Sequence, residues 1–341
     1  MEILPKHPEA SFKMYELISG YWVAACIHAV AKMDIADHLA TGKMSITELA
    51  QKTASDTISL RRLMRAVTSV GIFEEVDKDV YMMNQLGETL RTNVPGSIKP
   101  WALANLGEHY PAFGQLAYSV RTGNVAFDYV HGTPVWEYYK NNPAAGENLA
   151  KAMAGVSGAV LKGVVDNYDF SPYKVIVDLG GGNGAMLFTL LEAAPNAKGI
   201  VFDEPYVAEK TAQNIPEHLQ NRCTAVGGNF FEKVPADADL YVTKWVLHDW
   251  SDEEVIQILK VTYEAMPVGA KLLIIDAVIP DEPNKAHAGK LLDINIMALT
   301  TGKERTLAEF KHVIEQAGLT FTGLIQAGTE ISSMVECQKL A

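Results

Sequence analysis

Residues Val175-Ile176-Val177-Asp178-Leu179 make an apolar run of strand length that ends near an acid and meets Gly180-Gly181-Gly182-Asn183-Gly184. A helical pattern, Ala185-Met186-Leu187-Phe188-Thr189-Leu190-Leu191, begins at once. Strand, tight glycine turn and helix N-terminus form a corner that a ligand can approach closely, because glycine has no Cβ to hold it off. Such a corner predicts a site for a nucleotide-like cofactor.

From residue 174 onward the pattern alternates between strand and helix. Strands are predicted at 174–179, 198–202, 222–226, 238–244 and 270–276, with helices between them. Two β-prone runs at 319–325 and 332–337, separated by Ala327-Gly328, predict a closing hairpin. Alternation of this kind implies an α/β, Rossmann-like unit: a mostly parallel sheet with helices on both faces and a C-terminal antiparallel hairpin. Ligands in such sheets sit at the carboxyl ends of the strands. Ser251-Asp252-Glu253-Glu254 and Thr306-Leu307-Ala308-Glu309 read as capping boxes.

The first part of the chain reads differently. A helical pattern covers 11–39, and Ser45-Ile46-Thr47-Glu48 reads as a further capping box. A second helix at 57–70 stops at Gly71, and β-prone runs at 72–76 and 80–83 flank Asp77-Lys78-Asp79. Helix, helix, hairpin is the outline of a winged helix. The hairpin carries Glu74, Glu75, Asp77 and Asp79, and the chain has a net charge of −12. Both argue against nucleic acid and in favour of packing or dimerisation. The apolar first helix, with Tyr15, Leu17, Ile18, Tyr21 and Trp22, suits a second chain. The 341 residues suffice for two domains. The boundaries read are 1–98 for a winged-helix-like dimerisation domain, 99–168 for a helical linker and substrate-pocket region, and 169–341 for the catalytic domain.

Three scattered cysteines, Cys26, Cys223 and Cys337, form neither a disulfide framework nor a metal spacing. These spacings predict no metal site, and a reducing, cytoplasmic compartment fits best. The start of the sequence lacks the apolar core of a signal peptide, and no stretch is apolar enough for a membrane span.

Gly180, Gly182 and Ala185 fit the spacing G-x-G-x-x-A, and Asp203 ends the next strand about twenty residues on. An acid there can accept hydrogen bonds from both ribose hydroxyls of an adenosine. NAD and S-adenosylmethionine both contain adenosine, so these residues leave the choice open. The other reading of Asp203 is a cap for the helix that starts near Pro205. In Gly227-Gly228-Asn229-Phe230-Phe231, Asn229 can hydrogen-bond an adenine edge and Phe230 can pack on its face. The segment Lys244-Trp245-Val246-Leu247-His248-Asp249-Trp250 places a histidine at a strand's carboxyl end, the address of a general base near neutral pH.

Together, 177–185, 227–231, 244–250 and Gly302-Lys303-Glu304-Arg305-Thr306 resemble the S-adenosylmethionine-dependent O-methyltransferases of the plant caffeate, bacterial natural-product and hydroxyindole type. The resemblance covers nearly the whole chain, including the winged-helix start, which in that family is a dimerisation domain. It implies a homodimer and an aromatic small-molecule acceptor methylated at a phenolic or enolic hydroxyl.

The resemblance also implies roles for particular residues. Gly180, Gly182 and the strand acid Asp178 would hold the methionine part of S-adenosyl-L-methionine, and Asp203 the ribose. Asn229, Phe230 and Trp250 would surround the adenine. Lys244 and Ser157 would meet the carboxylate side. His248 would be the base, flanked by Asp276 and Glu304. Two positions depart from the family pattern: Asn229 stands where Asp is usual, and Asp276 where Glu is frequent. Met153, Asn295 and Met297 are read as the acceptor pocket, since methionine packs adaptably on flat rings. Competing readings are an NAD-dependent oxidoreductase, a ligand-sensing winged-helix regulator, and a family member that keeps the cofactor for other chemistry.

Overall fold

The computed structural model describes residues 7–340. The chain divides into two compact units. One comprises the residues up to Tyr110 with Pro143–Val156; the other comprises Pro111–Asn142 and the chain from Ser157 on.

In the first unit the helical pattern at 11–39 is cut into three: Pro8–Ser19, Tyr21–Lys32 and Ile35–Leu39. The second cut falls at Asp34, whose left-handed φ of 55° no helix can continue through. Asp34 and Asp37 both accept from the buried ammonium of Lys99, so the break also feeds an ion-pair cluster. Ser45 caps the helix Ile46–Lys52 through the reciprocal box with Glu48. The helix Thr57–Ser69 follows, and Gly71 turns the chain at φ 85°. Strands Glu74–Asp77 and Val80–Met82 then pair as the predicted hairpin. Met44–Ser45 joins them, so a small three-stranded sheet accompanies the helices. Leu39, Leu49, Leu60, Met64, Val67 and Tyr81 form the core. The helix Pro8–Ser19 buries nothing; Phe12, Met14, Tyr15, Leu17 and Ile18 are all exposed.

The second unit is built on seven strands: β1 (Val175–Leu179), β2 (Lys198–Asp203), β3 (Cys223–Gly227), β4 (Leu240–Lys244), β5 (Lys271–Asp276), β6 (Thr320–Thr329) and β7 (Ser332–Gln338). Their order is β6-β7-β5-β4-β1-β2-β3. β1 to β5 run parallel, and β7 is antiparallel to both β5 and β6. The central strands are apolar throughout because both faces are covered. Ile176, Val242, Leu273 and Ile275 enter one core, and Val177, Tyr241, Leu272 and Ile274 enter the other, as the two-residue alternation of a strand requires.

The helices that matter for the site are α1 (Pro143–Asn167), α2 (Ala185–Ala193), α3 (Pro205–Ala212), α4 (Asp252–Ala265), α5 (Ala288–Leu299) and α6 (Leu307–Gln316). Capping boxes at Ser251 and Thr306 start α4 and α6. Gly163 on α1 lies so close to β6 that a Cβ there would stand 1.8 Å from the Ala327 carbonyl oxygen. Among the described residues no helix is long and apolar enough to cross a membrane.

Candidate active site

The carboxyl ends of β1, β2, β4 and β5 bring together residues far apart in sequence: the glycine corner, Asp203, Lys244 with the His248 turn, and Asp276. The corner is shaped more by φ than by free donors. Gly180, Gly182 and Gly184 sit at φ 68°, 54° and 80°, which L-residues seldom adopt. Gly180 and Gly181 donate to the Phe202 carbonyl, and Gly182 donates to Asp203 Oδ2 at 2.8 Å. The corner is thus laced to β2. A Cβ on Gly182 would project into open space, whereas one on Gly180 would strike Val246.

Asp203 accepts a second bond from the Glu204 N–H at 2.7 Å. It makes no helix cap: the residue before α3 is Glu204, whose side chain caps nothing. Burial raises the Asp203 carboxyl above the usual range against the pull of these two N–H groups.

Asp178, within β1, is fully buried, and neither carboxylate oxygen has a hydrogen-bond partner. Burial pushes its pKa up to about 8. Lys244, at the end of β4, donates to Ser157 Oγ on α1 at 3.0 Å and lies 3.9 Å from the Trp245 ring centre. Burial draws its ammonium down to about 8, although Asp178 and Asp276 oppose this. A carboxyl and an ammonium that are both short of solvation form a pair suited to a zwitterion.

Asn229 turns inward on its own loop. Its Oδ1 accepts from the Phe231 N–H at 3.0 Å and its Nδ2 donates to Glu232. Phe230 and Phe231 both meet Trp250 edge to face, at 5.9 and 4.8 Å between centroids.

His248 lies on a short 3₁₀ turn, Leu247–Asp249. It is buried, and its Nδ1–H donates to Glu304 Oε1 at 2.7 Å. Glu304 is placed by Asp293 on α5, which accepts from the Glu304 N–H at 2.9 Å. Asp249, to which the sequence assigned no role, has Oδ1 3.8 Å from His248 Nε2. Asp276 does not bond the ring; its Oδ1 accepts from the Trp245 N–H at 2.9 Å. That bond holds Trp245 at a left-handed φ of 54°, three residues before His248. Burial pulls the imidazole down, but the charges of Asp249 and Glu304, the Glu304 hydrogen bond and the charge of Asp276 outweigh it and lift His248 to about 10. Burial in turn raises Asp249 and Asp276.

Asn295 and Met297 are half-buried on α5. Two positions apart on a helix, they do not share a face; Met297 shares one with Asp293. Met153 belongs to the other unit, on the first half of α1. Among the described residues no group of three His, Cys, Asp or Glu side chains is arranged to hold a metal ion.

A mostly parallel seven-stranded sheet closed by an antiparallel hairpin, with a glycine corner after β1 and an acid at the tip of β2, is the frame of the Rossmann-like methyltransferases. Sequence comparison agrees. Residues 113–320 match the O-methyltransferase domain, and residues 15–93 match the O-methyltransferase dimerisation domain. The chain is 37% identical to the phenazine O-methyltransferase PhzM of Lysobacter antibioticus over 320 residues, 94% of each chain. It is 33% identical to the mitomycin biosynthesis 6-O-methyltransferase of Streptomyces lavendulae over 334 residues, 95% of this chain and 93% of that one. The crystal structure of LaPhzM superposes with a TM-score of 0.93 at 36% identity, covering 99% of this chain and all of that one. The chain belongs to the O-methyltransferase family. It is a methyltransferase that uses S-adenosylmethionine.

The residues present fit that cofactor. Its methionine end carries an ammonium and a carboxylate, and the site offers the orphaned Asp178 carboxyl and the desolvated Lys244. Its ribose carries two hydroxyl donors, and Asp203 offers a carboxylate beside the open face of Gly182.

Proposed function

We propose that this enzyme methylates a phenolic or enolic hydroxyl of an aromatic small molecule, with His248 as general base. One observation carries the reading: a buried imidazole, oriented by a carboxylate at 2.7 Å, stands at the same sheet edge as the cofactor corner. The relatives named for phenazine and mitomycin chemistry support a flat aromatic acceptor. When bound, S-adenosylmethionine would supply a methyl group on a sulfonium, whose sulfur–carbon bond breaks as the oxygen–carbon bond forms, with S-adenosylhomocysteine as the leaving product.

The protein's task is then to hold and deprotonate the oxygen. A phenol titrates near 10 and an unperturbed imidazole near 6.5, so complete transfer to such an imidazole is uphill by roughly 4–5 kcal/mol. Glu304 and Asp249 lift His248 toward the phenol's own range and remove most of that gap. Glu304 accepts from Nδ1–H, which leaves Nε2 to take the proton as the new oxygen–carbon bond forms. Lys244 with Ser157, Asp178 and Asp203 would hold the cofactor, with Phe230 and Trp250 near the adenine. Met297, on the face of α5 that carries Asp293, would meet the acceptor ring, and Asn295 would lie off that face.

The raised pKa fixes the sign of the pH dependence. At neutral pH the resting imidazole is mostly charged, and the base form grows as pH rises toward about 10. kcat/KM therefore climbs between pH 6.5 and 9. In Glu304→Gln one stabilising charge is gone, so the rising limb moves to lower pH by roughly one to three units. A flat wild-type profile, or a limb that stays put in Glu304→Gln, overturns the assignment. The acceptor class itself is tested by mass-spectrometric detection of methylated products from hydroxyphenazines, hydroxynaphthoates, hydroxyquinones and catechols. Transfer to none of them defeats the proposal.

We also read the protein as a homodimer formed through its N-terminal helices and housed in a reducing, cytoplasmic compartment. The match to the dimerisation domain supports the first point. So does a helix whose Phe12, Tyr15, Leu17 and Ile18 remain exposed, since clustered exposed apolar side chains mark interaction surfaces. The wild type sediments as a dimer, and the pair Ile18→Glu and Trp22→Glu sediments as a monomer. A monomeric wild type rules the interface out.

A further inference from the structure

We propose that Arg305 is a positioning residue: it clamps the turn that carries His248 and thereby sets where the imidazole stands. The proposal rests on the reading of His248 as base and adds the device that holds it.

Arg305 is completely buried, and its guanidinium reaches no reacting group. It grips both ends of one turn. Nη1 donates to the Leu247 carbonyl at 3.0 Å and Nη2 to the Trp250 carbonyl at 2.8 Å, so the bonds bracket His248. Nε donates to Asp252 Oδ1 at 2.9 Å, which anchors the fork to the first turn of α4 and balances its charge. A planar guanidinium can serve three acceptors in these directions at once; an ammonium cannot span them.

The segment around Arg305 is itself fastened on several sides. Gly302 packs its backbone so tightly on the turn that a Cβ would lie 1.9 Å from the His248 carbonyl oxygen. Glu304 holds the ring nitrogen, while Asp293 holds the Glu304 N–H. Arg305–Thr306 pairs in parallel with Val278–Ile279, just beyond Asp276. One short stretch therefore fixes both the backbone that bears the imidazole and the carboxylate that orients it. Moving the backbone relative to Glu304 would misplace Nε2; of the cofactor residues only Trp250 shares the clamped turn, while Asp178, Asp203 and Lys244 make no bond to Arg305.

The test reads the imidazole directly. In protein labelled with ¹⁵N-histidine, the Nδ1–H proton held by Glu304 gives a downfield resonance, identified by its loss in His248→Ala. In Arg305→Lys this resonance moves or disappears. Turnover of a hydroxyphenazine falls about a hundredfold, and affinity for S-adenosylhomocysteine stays within a few-fold. Asp252→Asn, which keeps an acceptor oxygen but removes the charge shared by Arg305 and Lys303, gives the same pattern to a smaller degree. The clamp is overturned if a folded Arg305→Lys keeps the resonance or the turnover, or if cofactor affinity falls with them. Should that variant not fold, the same outcomes in Asp252→Asn decide. Wild-type turnover in His248→Ala would defeat the base assignment alone, and the resonance would then still judge the clamp.

Discussion

His248→Ala binds S-adenosylmethionine as the wild type does and loses methyl transfer by about a thousandfold. The size follows from the job proposed. A positioned general base contributes roughly 10²–10⁴ in rate, and the Glu304 pair makes this one better matched to a phenol than a free imidazole is. The cofactor should be indifferent, because Asp178, Asp203 and Lys244 are not bonded to the ring. Isothermal titration with S-adenosylmethionine and single-turnover kinetics on the best acceptor separate the two effects. Turnover near the wild-type rate would mean that the acceptor ionises without help from this side chain. A parallel loss of cofactor affinity would mean that the substitution disturbed the sheet edge as a whole.

Asp203→Ala has the opposite signature. Cofactor affinity drops about a hundredfold, as expected when two hydroxyls lose a charged acceptor at roughly 1.5 kcal/mol each. At saturating cofactor, turnover largely returns. Asp203→Asn separates ribose binding from loop bracing, because Asp203 also ties Gly182 and Glu204. An amide keeps one carbonyl oxygen for Gly182, gives up the exposed bond from Glu204 and loses the charge, so it weakens the cofactor and lowers the unfolding midpoint only slightly. If Asp203→Ala lowers the unfolding midpoint and leaves the dissociation constant alone, the residue is a brace and the ribose is held elsewhere.

The sheet was legible because its strands are buried on both faces. Continuous runs such as 271–276 have no other economical fate in a chain of this length. The three capping boxes were legible because they are local, complete within four residues. What escaped was long in sequence or set by geometry. The 11–39 pattern hid its breaks, since the apolar spacing runs on through Asp34 and only the pairing with Lys99, 65 residues away, selects the bend.

Glu304 reached the imidazole through family resemblance; no spacing rule links positions 56 apart. Asp249 stood next to His248 in plain sight. A neighbour in sequence acquires meaning only once the turn aims its carboxylate back at Nε2. Asp276 was read as a flank of the ring; its hydrogen bond goes to Trp245, and only its charge reaches His248. Arg305 entered only as part of the 302–306 segment that carries the family resemblance, with no role of its own. Nothing in a sequence says that a particular arginine will be wholly enclosed.

The place of β7 has a consequence for how the protein is made. It lies between β5 and β6, although β5 leaves the ribosome some 60 residues earlier. Until Ser332–Gln338 has been synthesised, the apolar edge of β5 has no partner on that side. Asp276, at its tip, stays joined to a half-finished sheet. The catalytic unit therefore cannot close as it emerges. An edge of that kind, left open, is a template on which another chain can pair. The antiparallel strand made last of the seven is thus the one that covers the edge of β5 and seals the sheet.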